Sequence, residues 1–141
     1  MEFGIKIIPS NEKTVKIQLW DTAGKKIYNS IIKATFKKSN AVILVYDVTN
    51  ESSFIAIKDW IEKIKNNENE NNAIIALVAQ KCDLQDRVIS EEKGKELANE
   101  LGVEFFEVSA KTGDNIEELF NHLVQQCIFA INNGNADLGA K

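Results

Sequence analysis

Cysteine and histidine are scarce in this chain. Its 141 residues include two cysteines, Cys82 and Cys127, and one histidine, His122. Two isolated cysteines exclude a disulfide framework and offer no zinc-ligand spacing, so a reducing compartment is expected. Cys127 lies on a predicted apolar helical stripe and reads as core; His122 reads as an exposed polar side chain of the same helix. An excess of positive charge is also missing: 17 lysines and arginines stand against 21 carboxylates, a formal charge of −4. That balance gives no nucleic-acid surface. The local group Lys25, Lys26, Lys33, Lys37 and Lys38 reads as a solvated helical face. No signal peptide opens the sequence and no apolar run reaches membrane-spanning length, so a cytoplasmic protein is expected. With 44% hydrophobic residues, the chain is long enough for one domain with a real core and too short for two.

The periodicities give alternating strands and helices. Phe3 to Ile8 and Thr14 to Trp20 read as antiparallel strands joined by a four-residue turn, Pro9-Ser10-Asn11-Glu12. Lys25 to Lys38 reads as helical. Ala41 to Tyr46 and Ala73 to Ala79 are continuous apolar runs, as expected of strands covered on both faces. Phe54, Ile57, Ile61 and Ile64 recur at steps of three and four, which predicts an amphipathic helix over 52–67. Ser90, followed by Glu91 and Glu92, has the chemistry of a helix N-cap, and Gly102 that of a C-cap. Val103 to Val108 is the last predicted strand. Asp114 with Glu117 predicts a capping box for a final helix whose apolar residues are Ile116, Leu119, Phe120, Leu123, Val124, Cys127, Ile128 and Ile131. The fold class is therefore α/β, with a mostly parallel sheet and flanking helices. The domain is expected over 1–131, with a polar tail over 132–141.

Three short motifs carry the chemistry. Trp20-Asp21-Thr22-Ala23-Gly24 ends an alternating strand with a carboxylate and a glycine, at the sheet edge where α/β proteins bind ligands. Taken alone it is equally compatible with an ordinary strand-to-loop turn. Gln80-Lys81-Cys82-Asp83 follows a buried strand, and Ser109-Ala110-Lys111 follows another; Asp83 lies 62 positions after Asp21, and Ser109 lies 26 after Asp83. In order and spacing these stretches resemble the second-switch motif, the guanine-reading Asn-Lys-X-Asp and the Ser-Ala-Lys loop of Ras-superfamily small GTPases. Leu44-Val45-Tyr46-Asp47-Val48-Thr49 resembles the form typical of the Rab branch.

The resemblance implies roles residue by residue. Asp83 would accept the two adjacent N–H donors of guanine, and a carboxylate cannot donate to adenine. Lys81 would lie along the base, the Ala110 N–H would reach the guanine carbonyl, and Ser109 would hold Asp83; Gln80 and Lys111 complete those loops. Asp21 would hold Mg²⁺ through water, and Gly24 would approach a phosphate. The implied cofactors are GTP or GDP with Mg²⁺, and the implied partners are Rab-type effectors or regulators. Phe3 and Trp20 match two members of an exposed apolar effector triad, with Phe36 beside the third position; from the residues alone, Phe3 and Trp20 fit sheet packing equally well.

The departures matter as much. Gln80 stands where the family has Asn, which moves the amide about one methylene outward. Lys25 stands where most members have the water-orienting glutamine; an ammonium has donors only, so hydrolysis is expected to be slow at best. No Gly-X-X-X-X-Gly-Lys-Ser/Thr stretch is present, so the phosphate cradle, its lysine and the hydroxyl ligands of Mg²⁺ have no counterpart here. Base contacts alone give affinity near millimolar, about −4 kcal/mol. The expectation is a small-GTPase fold truncated at its N-terminus, with bare strand edges that favour oligomers or aggregates. The tail carries no cysteine for prenylation, so no direct membrane anchor is expected, and contact with endomembranes would come through partners. The alternatives are a non-catalytic pseudo-GTPase module competing for effectors or regulators, and a non-functional fragment.

Overall fold

The computed structural model describes residues 2–10, 13–21, 39–66 and 73–132. The helical stretch expected over 25–38, and with it Gly24, Lys25 and Phe36, lies outside the described residues, as does 133–141. The first two strands, β1 (Glu2–Ser10) and β2 (Lys13–Asp21), pair antiparallel from Glu2↔Asp21 to Ser10↔Lys13. The ladder therefore continues through Pro9 and Ser10, and residues 11–12 alone make the connection, where the sequence suggested a four-residue turn. Phe3 and Trp20 are register partners.

The remaining strands form a parallel sheet in the order β3 (Ala41–Asp47), β4 (Ile74–Gln80), β5 (Glu104–Glu107). Parallel neighbours need crossovers, and α1 (Glu51–Asn66) and α2 (Glu91–Leu101) supply them on one face. That face buries Val42, Leu44 and Tyr46 of β3 and Leu77 and Ala79 of β4 against Ile57, Ile61, Leu97 and Ala98. The other face buries Ala76 and Val78 against Leu119 and Leu123 of α3 (Ile116–Asn132). Helices on both faces explain why β4 is an unbroken apolar run, with Ala76, Leu77 and Ala79 fully excluded from solvent.

The α2 caps are as the sequence suggests. Ser90 accepts from the Lys93 N–H at 3.2 Å, and Gly102 closes the helix at φ 70°, a left-handed conformation suited to glycine. The capping box at Asp114 is not formed. An N-cap there would require helical φ at Asn115, which instead sits at φ 61°, and the helix begins at Ile116. Asn115 tolerates this conformation and donates its side-chain amide to the Glu107 carbonyl at 3.0 Å. His122 also differs from expectation: it is half-buried beside Phe106, ring centroids 5.3 Å apart, and its Nε2 is buried without a hydrogen-bond partner. Its place among Leu119, Leu123 and Val124 turns it toward the sheet. Cys127 is half-buried, and burial pushes its thiol pKa up.

Candidate functional site

The C-terminal ends of β3, β4 and β5 converge at one edge of the sheet, and the motif residues follow from that alignment. Asp47 and Gln80 are register partners at the last position of β3 and β4. Past β5, the Val108 N–H donates to the Ala79 carbonyl at 2.8 Å, and the Cys82 N–H donates to the Val108 carbonyl at 3.2 Å. These two bonds tie the 80–83 loop to the 109–111 loop, although the two are separated by almost thirty residues in sequence.

Asp83 and Ser109 meet there. The buried Ser109 hydroxyl donates to Asp83 Oδ1 at 2.7 Å and accepts from the Thr112 N–H at 3.2 Å. Its own N–H donates to the Asp114 carbonyl, and its carbonyl accepts from Gly113. A serine fixed by four bonds is a rigid post for an exposed carboxylate, whose second oxygen remains for a ligand. The groove opening beside Asp83 is lined also by Asp114, Glu117 and Glu118. Four carboxylates repel phosphate, so that side of Asp83 is unsuited to the anionic end of a nucleotide.

Lys81 is in the left-handed region at φ 68°, unusual for a residue with a Cβ. Its ammonium pairs with Asp47 Oδ2 at 2.8 Å. Asp47 is further engaged by Thr49, whose N–H and hydroxyl donate to Oδ1 at 2.8 and 2.7 Å. Desolvation opposes ionisation of Asp47, but the Lys81 ammonium and the Thr49 donors outweigh it and hold the carboxyl below its usual range. The same pair raises the Lys81 pKa. Asp47 was given no role in the sequence reading. Its signal was the shared ending of two adjacent apolar strands in a polar residue.

Gln80 departs most from expectation. Its Oε1 accepts from the Lys81 N–H at 2.8 Å and from the Ala110 N–H at 2.9 Å. The amide N–H that the resemblance assigns to the guanine carbonyl is thus engaged by a side chain of the protein. Lys111 is exposed in the same loop. Behind the loops, Arg87 grips Glu107 of β5 with both terminal nitrogens and donates from Nε to the Ile89 carbonyl at 2.6 Å, anchoring the segment after Asp83 to the sheet. This bidentate pair was also missed; nothing in the spacing of Arg87 and Glu107 announces it.

Phe3, Trp20 and Asp21 lie on the β1–β2 hairpin, Asp21 at the last position of β2. For Mg²⁺, Asp21 is the one carboxylate implied. Among the described residues no three His, Cys, Asp or Glu side chains form a metal cage. That donor set does not hold a cation by itself, and no step is assigned to one. No helix among the described residues is long and apolar enough to cross a membrane.

Known proteins resemble this chain along most of its length. The Ras family model matches residues 1–129. The chain is 46% identical over 125 residues to human Ras-related protein Rab-3A, covering 88% of this chain and 56% of that protein. It is 43% identical over 126 residues to Ras-related protein Rab-3 of Caenorhabditis elegans, covering 89% of the chain and 57% of the relative. It is 42% identical over 125 residues to GTP-binding protein Rab-3D of Rattus norvegicus, covering 88% and 57%. The chain thus spans little more than half the length of these curated relatives. A parallel sheet flanked by helices, the Asp83–Ser109 pair at its C-terminal edge and these similarities agree on one assignment: the chain belongs to the Ras family, as a Rab-like member.

Proposed function

We propose that this chain carries the base-reading part of a guanine-nucleotide switch of vesicle and membrane traffic, with weak nucleotide binding and slow or absent hydrolysis in the chain as it stands. The observation that carries the reading is the 2.7 Å bond from the buried Ser109 hydroxyl to the exposed Asp83 carboxylate. A carboxylate held at a fixed angle can accept both adjacent donors of guanine, and it rejects adenine, which presents an acceptor where guanine has a donor. Lys81, Ala110 and Lys111 border the base in this reading, and Lys25 replaces the residue that would orient water.

Titration with fluorescent GDP and GTP analogues in Mg²⁺ buffer, with ADP as competitor, tests it. Guanine-selective binding near millimolar is expected, and Asp83→Asn should abolish the selectivity, because one carboxylate acceptor becomes a donor facing a donor. Equal competition by ADP in the parent chain would sink the reading.

The second reading is an interaction module without a catalytic role, acting on Rab-type effectors or regulators through the hairpin carrying Phe3 and Trp20 and the segment carrying Phe36. The engagement of Lys81 by Asp47 and of Ala110 by Gln80 favours it, since both base-site groups are satisfied within the protein. Self-association through the β3 edge belongs to either reading.

A further inference from the structure

Gln80 Oε1 lies where two backbone N–H groups converge, those of Lys81 at 2.8 Å and Ala110 at 2.9 Å. Two donors saturate the two lone pairs of an amide oxygen and tether the side chain at its tip. Ala110 is exposed, so its N–H has no need of a protein acceptor to avoid a desolvation penalty. The bond is therefore a matter of reach: a glutamine at the end of β4 is long enough to cross to the 109–111 loop, and the loops are already registered by the Val108–Ala79 and Cys82–Val108 bonds. The acceptor that Gln80 presents is a planar amide carbonyl, the same chemistry as the carbonyl of a purine.

We infer that Gln80 is an internal stand-in for the purine carbonyl, so that a guanine entering beside Asp83 must displace its amide oxygen from the Ala110 N–H. This rests on the guanine-reading assignment above and deepens it. The exchange replaces one neutral hydrogen bond by another, so its cost is that of a single net bond, roughly two- to tenfold in affinity. Gln80 thereby sets how far the site discriminates a base with a carbonyl from an empty state, without touching Asp83.

Two substitutions with opposite expectations separate this role from a merely structural one. Gln80→Ala removes the oxygen; the Ala110 amide should exchange its hydrogen faster, and GDP should bind more tightly by about two- to tenfold. Gln80→Glu keeps the reach and adds charge; the Ala110 amide should exchange more slowly and GDP should bind more weakly. A structural Gln80 would weaken binding in both. Amide exchange of Ala110 followed by NMR without nucleotide, and NMR titration with GDP against ADP, give the two readouts. An Ala110 exchange rate unchanged in Gln80→Ala overturns the inference, and so does GDP binding that is unchanged or weaker in that variant while GDP is still preferred to ADP. If neither the parent nor Gln80→Ala prefers GDP to ADP at millimolar nucleotide, the guanine-reading assignment itself fails and the inference falls with it.

Discussion

Lys81 holds an unfavourable backbone conformation, and its partners explain why it persists. A left-handed φ costs a residue with a Cβ roughly 1–2 kcal/mol. Here the Lys81 N–H is bound by Gln80 Oε1 and its ammonium by Asp47 Oδ2. The ion pair has a defined pH signature. The folded Asp47 pKa lies below its ordinary value of 3.8, so the stability it contributes is present above that value and is lost as the pH falls through the lower folded pKa. Carbon-detected NMR of the Asp47 carboxyl should show a midpoint below 3.8, and Lys81→Ala should raise it. A midpoint at or above 3.8 in the parent chain would remove the pair from the account. That Ser109 holds Asp83 was legible because motif spacing relates the two loops. Asp47 and the Gln80–Ala110 bond were not, because each depends on strand register and on a side chain's reach, neither of which is periodic in sequence.

At the level of elements, helix α2 shows how a local rule and a packing rule divide the work. Its ends follow from Ser90 and Gly102, whose chemistry can be read directly. Its distance from the sheet follows from Gly94, which sequence reading passed over. A Cβ at Gly94 would overlap the Tyr46 hydroxyl and the Phe105 ring, so the glycine lets the helix lie close over β3 and β5. Tyr46 is fully buried, edge-on to Phe54 with centroids 4.9 Å apart, and has little room to yield. Burial, then Glu107, raises its phenol pKa far above the ordinary value, so it stays neutral in the core. Gly94→Ala removes backbone freedom from a helix interior, worth about 0.5–1 kcal/mol in its favour. Overpacking should outweigh that gain, at about 1–3 kcal/mol. Chemical denaturation is expected to show a net loss of about 1–2 kcal/mol with an unchanged m-value; an equal or higher stability would mean that α2 shifts freely. The failed capping box at Asp114 belongs at this level too: the residues matched the motif, but the tertiary bond from Asn115 to the Glu107 carbonyl sets where α3 starts.

On the scale of the molecule, the parallel sheet and its two-sided cover were legible from continuous apolar runs and helical periodicity, because burial on both faces leaves a plain compositional trace. What such runs cannot reveal is which strand lies at an edge. Among the described residues β3 pairs only with β4, leaving its other side without a strand, and its Val45 is 53% exposed. The hairpin is a separate two-stranded sheet in the described pairing, with Ile5 and Ile7 exposed at 52% and 63%. An apolar edge strand is a template for pairing with another chain. The proposed self-association therefore predicts a sedimentation-equilibrium mass that rises with protein concentration. Val45→Lys should suppress the rise, since a charge on an edge strand opposes strand addition while costing little at a half-exposed position. A monomer mass that stays constant with concentration in the parent chain would show that the β3 edge is protected by another part of the protein, and association through it would then be discarded.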